Sequence, residues 1–424
     1  MEVQEWSGEL STSYAQESLL SRDTQRFRPL DGLRGVSIAA VFWFHFRIEP
    51  HSPGEWGWVG VDLFFALSGF LITGILFDSL GEEHYFRNFY IRRALRIFPL
   101  YWGLWCVLLV FMFAQGRFET GFLAWPAYVG NYLGSYALWA GWNHEHFNRL
   151  PATVHIAQET LRVQVGPYWS LCVEEQYYLT WPLVVWMVRR RERLMVLCLC
   201  SIVGVMLLRI GLRFWLPAEW AKHNEVYFWT LTRADSLLAG SALALWVRGR
   251  GGVERLSTKT VTAGTLAAAC ALGLAYWRWG LFHDVTFETW MQTWGLTAVA
   301  AVACGLVAMS LRARWLGPIL SLRPLLHLGR VSYGFYVFHL LFWDCDRIVI
   351  DATRPWVPAW LIHAAVFAWV WFLSWASFRW FESPFLKMKD RWGGRGEEDK
   401  AMSDNGDRVA RRLRVRARAK AVSG

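Results

Sequence analysis

Long apolar runs separated by short polar segments recur along almost the whole chain. Each run covers about 18 to 23 residues, enough for a helix to cross a hydrocarbon core of roughly 30 Å. The pattern therefore predicts membrane-spanning helices at residues 31–49, 57–79, 94–114, 168–188, 194–216, 228–247, 260–278, 290–311, 331–350 and 358–381. Another apolar segment, 121–140, is interrupted by Pro126 and several glycines, and we interpret it as re-entrant or interfacial.

The composition favours a membrane protein over a soluble one. Hydrophobic residues make up 54% of the 424 residues, and the mean hydropathy is positive at +0.22. We therefore expect an all-α, polytopic membrane bundle with about ten transmembrane helices. The predicted domains are a polar N-terminal tail at 1–28, one membrane domain at 29–386 and a charged C-terminal tail at 387–424.

Lys and Arg residues indicate how the predicted spans are oriented. With both termini in the cytoplasm, 33 of the 44 Lys and Arg fall on the inner side and 8 on the outer side. This asymmetry follows the positive-inside rule, so the net charge of +10 needs no nucleic-acid partner to explain it. We expect a multi-pass protein of the cytoplasmic membrane if the source is bacterial.

His45 is a titratable residue inside the first predicted span, where such groups usually face a protein interior or a wet cavity. Arg34 lies eleven residues earlier, which places both side chains on nearly the same helix face, and Asp31 is close enough to orient Arg34. A neutral imidazole is well suited to take a proton from a hydroxyl. His45 is therefore a candidate general base; the alternative is a structural hydrogen bond between helices.

Three arginines, Arg92, Arg93 and Arg96, open the third predicted span. They match the anchor expected at the cytoplasmic face, but Arg92 and Arg96 also lie one turn apart with Arg93 beside them. Guanidinium groups in such an arrangement bind phosphates bidentately. Together with Arg34, they are candidates for binding a phosphorylated cytosolic donor.

The fourth predicted span begins with Trp169 and Ser170 and continues through Glu174, Glu175 and Tyr178. Acidic residues near a helix start can simply stabilise the helix dipole. Glu174 and Tyr178 are one turn apart, whereas Glu175 points about 100° away. We therefore expect only Glu174 to share a cavity face with Tyr178.

Two further polar groups lie within predicted spans. Ser332, Tyr336 and His339 follow a helical stripe in the ninth span and serve either chemistry or hydrogen bonding between helices. Arg233 and Asp235 in the sixth span are candidates for an intramembrane ion pair. None of the seven cysteines stands at a metal-ligand spacing from a histidine, so we expect neither a metal site nor a disulfide framework.

Taken together, these motifs resemble the acyltransferase 3 family of integral membrane acyltransferases. The resemblance rests on segments 27–35 with His45, 60–71, 92–99, 169–178 and 332–339, which occur in the family's order. It covers roughly residues 27 to 386. It implies transfer of an acyl group, most often acetyl, from cytosolic acyl-coenzyme A to a hydroxyl of a carbohydrate, a glycolipid or a small molecule, without a permanently bound cofactor.

The resemblance also implies roles for individual residues. The catalytic residues would be His45, Glu174 and Asp31, and those near the donor Arg34, Arg92, Arg93 and Arg96. The residues for substrate binding or structural polar contacts would be Trp169, Ser170, Tyr178, Tyr336 and His339. Direct transfer and an acyl-enzyme intermediate both stay open at this point, as do the acceptor and the oligomeric state. The alternative class is a transporter or flippase that uses the same buried charges as a relay.

Overall fold

The computed structural model describes most of the chain. The described residues are 28–46, 53–143, 146–156, 159–216, 225–280, 282–283, 286–353 and 356–392.

Within the ninth predicted span, 331–350, a 3₁₀ turn at His339–Phe342 separates two short helices, so this span is not one continuous helix. Helices overlap all ten predicted spans. They are α1 (28–45), α2 (Val59–Asp78), α3 (Tyr85–Ala114), α4 (Trp169–Val188), α5 (Arg191–Trp215), α6 (Thr230–Val247), α7 (Thr258–Trp279), α8 (Leu296–Arg312), α9 (Ser332–Phe338) and α10 (Ala359–Ala376). Shorter helices cover Leu133–Trp139, Glu225–Phe228, Leu316–Leu320, Arg323–Arg330, Trp343–Thr353 and Ser383–Trp392. Strands β1 (Arg149–Ile156) and β2 (Glu159–Gln164) form an antiparallel hairpin, as do β3 (Phe282–His283) and β4 (Thr286–Phe287).

Six segments of the described chain are long and apolar enough to cross a membrane. They are Gly54–Asp78, Tyr85–Ala114, Arg191–Trp215, Thr258–Trp279, Met291–Arg312 and Ala359–Met388. The helical, multi-pass architecture is thus confirmed. Helices α1, α4, α6 and α9 do not meet this criterion, so the total of ten crossings stays a prediction. The two ends of the chain, 1–27 and 393–424, lie outside the described residues. Their cytoplasmic location therefore stays a prediction.

The interrupted segment 121–140 has an irregular backbone. It consists of 3₁₀ turns at Thr120–Ala124 and Gly130–Tyr132 followed by the helix Leu133–Trp139. Pro126 lies between these turns, where it cannot continue a helix. The backbone agrees with the predicted interruption, while its depth in a bilayer stays a prediction.

Helix α2 lies at the centre of the bundle. In its apolar stretch 78% of the residues are buried, against 22% in α5 and 17% in the segment that contains α10. A helix that is apolar all round belongs in such an interior or against lipid. Gly69 of α2 and Gly240 of α6 let the two backbones touch, because a Cβ at either glycine would lie within about 2 Å of the other helix's carbonyl oxygens.

Glycines also join α1 to the short helices Leu316–Leu320 and Arg323–Arg330. A Cβ at Gly32 would lie 1.7 Å from the Leu320 carbonyl oxygen, and one at Gly329 would lie 1.8 Å from the Asp31 carbonyl oxygen. Such close approach of helix backbones requires small residues. The glycines that flank Arg34 in the sequence therefore fix α1 against its neighbour and hold the guanidinium in place.

The expected ion pair between Arg233 and Asp235 is wrong. Arg233 Nη2 instead donates to both carboxylate oxygens of Asp62 on α2, at 2.8 Å each. Asp235 pairs with Arg209 on α5 at 2.9 Å, and all four side chains are at most 1% exposed. Residues two apart on a helix point to nearly opposite faces, so each charge meets a partner on a different neighbouring helix.

Candidate active site

A polar cavity opens between α1, α2, α3, α4 and α9. Aromatic and aliphatic residues such as Phe65 and Ile97 complete its wall. The polar residues of its lining are Arg34, Ser68, Arg93, Arg96, Ser170, Glu174, Glu175, Tyr178, Ser332, Tyr333 and Tyr336. Five of the predicted motifs thus meet at one place in the fold, although they are far apart in sequence.

Glu174 takes part in a short hydrogen-bonded chain on the cavity wall. The Ser68 hydroxyl donates to Glu174 Oε1 at 2.5 Å, and the Tyr178 hydroxyl donates to Ser68 Oγ at 3.0 Å. Glu174 and Tyr178 do share the cavity face, as their spacing predicts. Glu175 also lines the cavity, so the expectation that only one glutamate faces it is wrong. The reason is that the cavity wraps around the start of α4 and covers more than one of its faces.

Two helices contribute positively charged side chains to the cavity lining. Arg34 comes from α1, and Arg93 and Arg96 come from α3. Arg93 also stacks on Tyr178, with its guanidinium carbon 5.1 Å from the ring centroid. Arg92 is not among the lining residues of the described chain. The spacing that brings α3 arginines together here is i, i+3 rather than the i, i+4 spacing of Arg92 and Arg96.

Asp31 lies outside the cavity. Its carboxylate is 4.0 Å from Arg34 Nη1 and its side chain is 52% exposed. It lines a separate surface pocket with Arg28, Arg323 and Arg330. Asp31 can therefore orient Arg34, as the sequence suggests, but it is placed to act through Arg34 rather than on a molecule in the cavity.

His45 lies beyond the cavity wall, next to His339. The two imidazole rings are 5.0 Å apart, and the ring of Tyr336, which lines the cavity, is 5.3 Å from that of His339. His45 Nδ1 is 2.9 Å from the Val41 carbonyl oxygen. A carbonyl can only accept, so Nδ1 carries the hydrogen and the neutral ring has its lone pair on Nε2.

His339 is completely buried beside His45. Its Nδ1 is 2.6 Å from the Tyr336 carbonyl oxygen. Among the described residues, its Nε2 has no hydrogen-bond partner. An unsatisfied buried polar atom costs about 1–3 kcal/mol. Burial of His339 is therefore energetically unfavourable, and this residue lies next to the candidate base.

Ser170 and Tyr336 connect α4 to α9. The Tyr336 hydroxyl donates to the Pro167 carbonyl at 2.7 Å, so its single hydrogen is used and Ser170 donates to it at 2.6 Å. Trp169 faces the other way. Its ring centroid lies 5.7 Å from the guanidinium carbon of Arg233, so Trp169 packs against a buried ion pair rather than lining the cavity.

The hairpin β1–β2 packs near His45. The backbone N–H of Arg162 donates to Asp344 at 2.8 Å, and the guanidinium of Arg149 lies 5.5 Å from the Trp343 ring centroid. Trp343 in turn donates its indole N–H to the His45 carbonyl at 2.9 Å. The segment 115–167 therefore forms part of the wall near the candidate base.

Two residues that matter here were not singled out from the sequence. Ser68 and Asp62 both lie in the apolar run of α2, where a hydroxyl or a carboxylate needs a hydrogen-bonding partner. The free-energy cost of burying an unpaired polar group could have identified both residues from the sequence. Helical periodicity could not identify their partners. Within the described ranges, no three His, Cys, Asp or Glu side chains come together as a metal site would require.

Comparison with known proteins agrees with the motifs. A family model described as an acyltransferase domain matches residues 28–379. The peptidoglycan O-acetyltransferase OatA of Listeria monocytogenes is 28% identical over 377 residues, which cover 87% of this chain and 57% of OatA. YrhL of Bacillus subtilis is 31% identical over 326 residues, covering 73% of this chain and 47% of YrhL.

The O-acetyltransferase OatA of Staphylococcus aureus is 27% identical over 323 residues, which cover 74% of this chain and 50% of that protein. The chain thus spans about half the length of the curated relatives it matches. No solved structure gives a significant match. With a family model that covers most of its length and the family's motifs lining one cavity, the chain belongs to the acyltransferase 3 family of membrane proteins.

Proposed function

We propose that this protein is a membrane O-acetyltransferase that moves an acetyl group from cytosolic acetyl-coenzyme A to a carbohydrate hydroxyl. The observation that carries this proposal is the cavity itself. It combines three guanidinium groups with a hydrogen-bonded carboxylate, and its Tyr336 wall contacts the His339–His45 pair. The arginines suit an anionic donor, and the imidazole suits a hydroxyl that must lose a proton.

The donor's phosphates bind at Arg34, Arg93 and Arg96 in this proposal. Guanidinium groups bind phosphate oxygens bidentately and keep their charge at any physiological pH. His45 is the last residue of α1 and Arg34 lies eleven residues before it, roughly 16 Å away at about 1.5 Å per residue. That separation suits a long, flexible thioester arm whose anionic end is held by the arginines while the acyl end extends towards the histidines.

His45 acts as the general base in this proposal. Its Nε2 removes the proton of the acceptor hydroxyl as the hydroxyl oxygen bonds to the acyl carbon. A positioned base contributes about 10²–10⁴-fold to such a reaction. Holding donor and acceptor in one cavity supplies a further large share, because a bimolecular encounter becomes an intramolecular one.

The acceptor class follows from the relatives. The Listeria monocytogenes relative is named a peptidoglycan O-acetyltransferase, and the Staphylococcus aureus relative is named an O-acetyltransferase. We therefore propose a glycan hydroxyl, with peptidoglycan sugars as the first acceptor to test. The hairpin β1–β2, which lies against the Trp343 that contacts His45, is the surface from which such an acceptor would approach.

The rival assignment is a transporter or flippase. A relay needs titratable groups that can change partners along a path. The ion pairs Arg233–Asp62 and Arg209–Asp235 are instead buried, and each pair links two neighbouring helices. This arrangement favours a structural role for them and leaves the cavity residues for chemistry.

The test uses the full chain in proteoliposomes with acetyl-labelled acetyl-coenzyme A and peptidoglycan fragments. We expect label to appear on the glycan in a form released by mild alkali, as an O-ester is. Fragments already fully O-acetylated serve as the matched control and should take up no label. Movement of glycan across the bilayer with the acetyl-coenzyme A intact would contradict the proposal and identify the transporter.

A further inference from the structure

A second pocket with three arginines lies beside the cavity, at the end of α1 opposite His45. Its lining residues are Arg28, Asp31, Ser321, Arg323, Leu326 and Arg330. In the described part of the chain, no ion pair joins any of these three guanidinium groups to a carboxylate. The one acidic residue of the pocket, Asp31, lies 4.0 Å from Arg34 instead. This site, the Arg28 pocket, therefore has an excess of positive charge that favours an anionic ligand.

Close backbone contacts hold the walls of the Arg28 pocket together. The three lining residues from the short helix Arg323–Arg330 are spaced i, i+3 and i+7, so they share one face of that helix. A Cβ at Gly35 of α1 would lie 2.4 Å from the Leu325 carbonyl oxygen of this helix, and Gly329 makes a second such contact with α1. Walls that are positioned before a ligand arrives reduce the entropic cost of binding it.

The order of charged groups along α1 matches the order of groups along the proposed donor. In coenzyme A the thioester arm extends from one side of the diphosphate, and the ribose with its 3′-phosphate lies on the other side. On α1, Arg34 of the cavity lies between His45 and Arg28. Arg28 precedes Arg34 by six residues, roughly 9 Å at about 1.5 Å per residue, a distance on the scale of one ribose with its phosphates. With the diphosphate at Arg34 and the arm extended towards His45, the 3′-phosphate is directed towards the Arg28 pocket.

We propose that the Arg28 pocket binds the ribose 3′-phosphate of acetyl-coenzyme A and so selects the intact nucleotide over shorter thioesters. The inference rests on the proposed function and adds a second donor subsite next to the arginines of the cavity. A phosphate monoester carries a charge of about −1.5 to −2 near neutral pH, and guanidinium groups bind its oxygens bidentately. The Ser321 hydroxyl lines the same pocket and can donate a further hydrogen bond.

The phosphate of an anionic lipid headgroup has the same chemistry, because basic clusters at a cytoplasmic membrane face attract such lipids. The contact between Asp31 and Arg34 favours the donor, since it links the Arg28 pocket directly to the cavity in which the proposed function places the diphosphate. A bilayer without anionic lipid separates the two sources of phosphate.

The experiment measures the Kd of acetyl-coenzyme A and of acetyl-3′-dephospho-coenzyme A for the full chain in nanodiscs of phosphatidylcholine. Wild-type protein should bind acetyl-coenzyme A at least about tenfold more tightly, as expected of one charge-assisted phosphate contact. Arg323→Ala with Arg330→Ala should bring the ratio of the two Kd values close to one and leave the Kd of the dephospho form unchanged. Arg312→Ala with Arg314→Ala is the matched control and should keep the wild-type ratio, because both arginines are exposed in the preceding segment and are not among the pocket's lining residues.

A merely structural role of Arg323 and Arg330 would raise both Kd values together, and an unchanged ratio in their double variant would overturn the subsite. A wild-type ratio near one would overturn it as well, and loss of phosphatidylglycerol binding in that variant would then identify a lipid site. Either result leaves the proposed function standing if both thioesters still donate acetyl to glycan. Failure of the wild-type protein to bind either thioester would overturn the proposed donor along with the subsite.

Discussion

Two clusters of charge lie on either side of α2 and differ in how their charges are satisfied. In the first, Arg233 with Asp62 and Arg209 with Asp235 form ion pairs whose side chains are at most 1% exposed. In the second, three arginines and two glutamates line one cavity. The first cluster is closed and joins α2, α5 and α6. The second has charges left available for a ligand.

The difference shows that a charged residue within a span is not by itself a functional site. A buried ion pair between two helices stabilises one arrangement of those helices. The cavity has three arginines against two glutamates, and an excess of positive charge around a cavity favours an anionic ligand. We therefore expect the first cluster to contribute to folding and the second to catalysis. Variants can separate these two roles.

The largest expected effect is on folding. Asp62→Leu leaves the Arg233 charge buried without its partner, which destabilises a protein by about 3–5 kcal/mol. We expect Asp62→Leu to lose most of its folded yield in gel filtration and to melt at a lower temperature. The double variant Asp62→Leu with Arg233→Met should recover much of the loss, since replacing both charges by apolar groups is often neutral. No recovery would mean that the pair does more than satisfy its own charges.

Next in size is the loss of activity without loss of fold. Glu174→Gln keeps the side-chain shape and still accepts a hydrogen bond from Ser68, but it no longer takes up a proton. We expect acetyl transfer to fall by about 10²–10⁴-fold, with the melting temperature nearly unchanged. The neighbouring Glu175→Gln is the matched control, because Glu175 lines the cavity outside the Ser68–Tyr178 hydrogen bonds. Equal losses in both variants would argue that general negative charge, rather than proton transfer, is what the reaction needs.

A smaller effect is expected for donor binding. Arg93→Ala with Arg96→Ala removes two of the cavity's three guanidinium groups. A hydrogen bond to a charged group is worth about 1.5–3 kcal/mol, so the Kd for acetyl-coenzyme A should rise by at least about tenfold. Arg92→Ala, on the same helix but not among the lining residues described, should change the Kd little. If Arg92→Ala weakens binding as much as the double variant, the phosphates bind outside the cavity.

Helical periodicity predicted part of this site. The common face of Glu174 and Tyr178 follows from their spacing along one helix. Of the three arginines predicted on α3, Arg93 and Arg96 line the cavity, and Arg92 is not among its described lining residues. The hydrogen bond between Ser68 and Glu174 joins residues 106 positions apart, and the His45–His339 contact depends on how α1 packs against α9. Such contacts depend on the packing of separate helices, which spacing within one helix does not specify.

The same limit explains the wrong ion pair. Arg233 and Asp235 are near in sequence, but a helix turns them apart by about 200°. Asp62 and Arg209, their actual partners, lie on α2 and α5. Glycines, in contrast, do indicate how helices pack. Gly32 and Gly329 let the backbone of α1 approach those of the short helices Leu316–Leu320 and Arg323–Arg330, a contact that the hydrophobic pattern does not predict.

The central claim is that donor binding and proton removal belong to different parts of one site, the arginine cavity and His45. The most direct test measures acetyl-coenzyme A binding and glycan acetylation on the same preparation of His45→Ala, with exposed His84→Ala as the control. We predict an unchanged Kd and abolished transfer for His45→Ala, and wild-type values of both for His84→Ala. Transfer by His45→Ala at the wild-type rate, or a loss of binding that accounts for the lost transfer, would contradict the account.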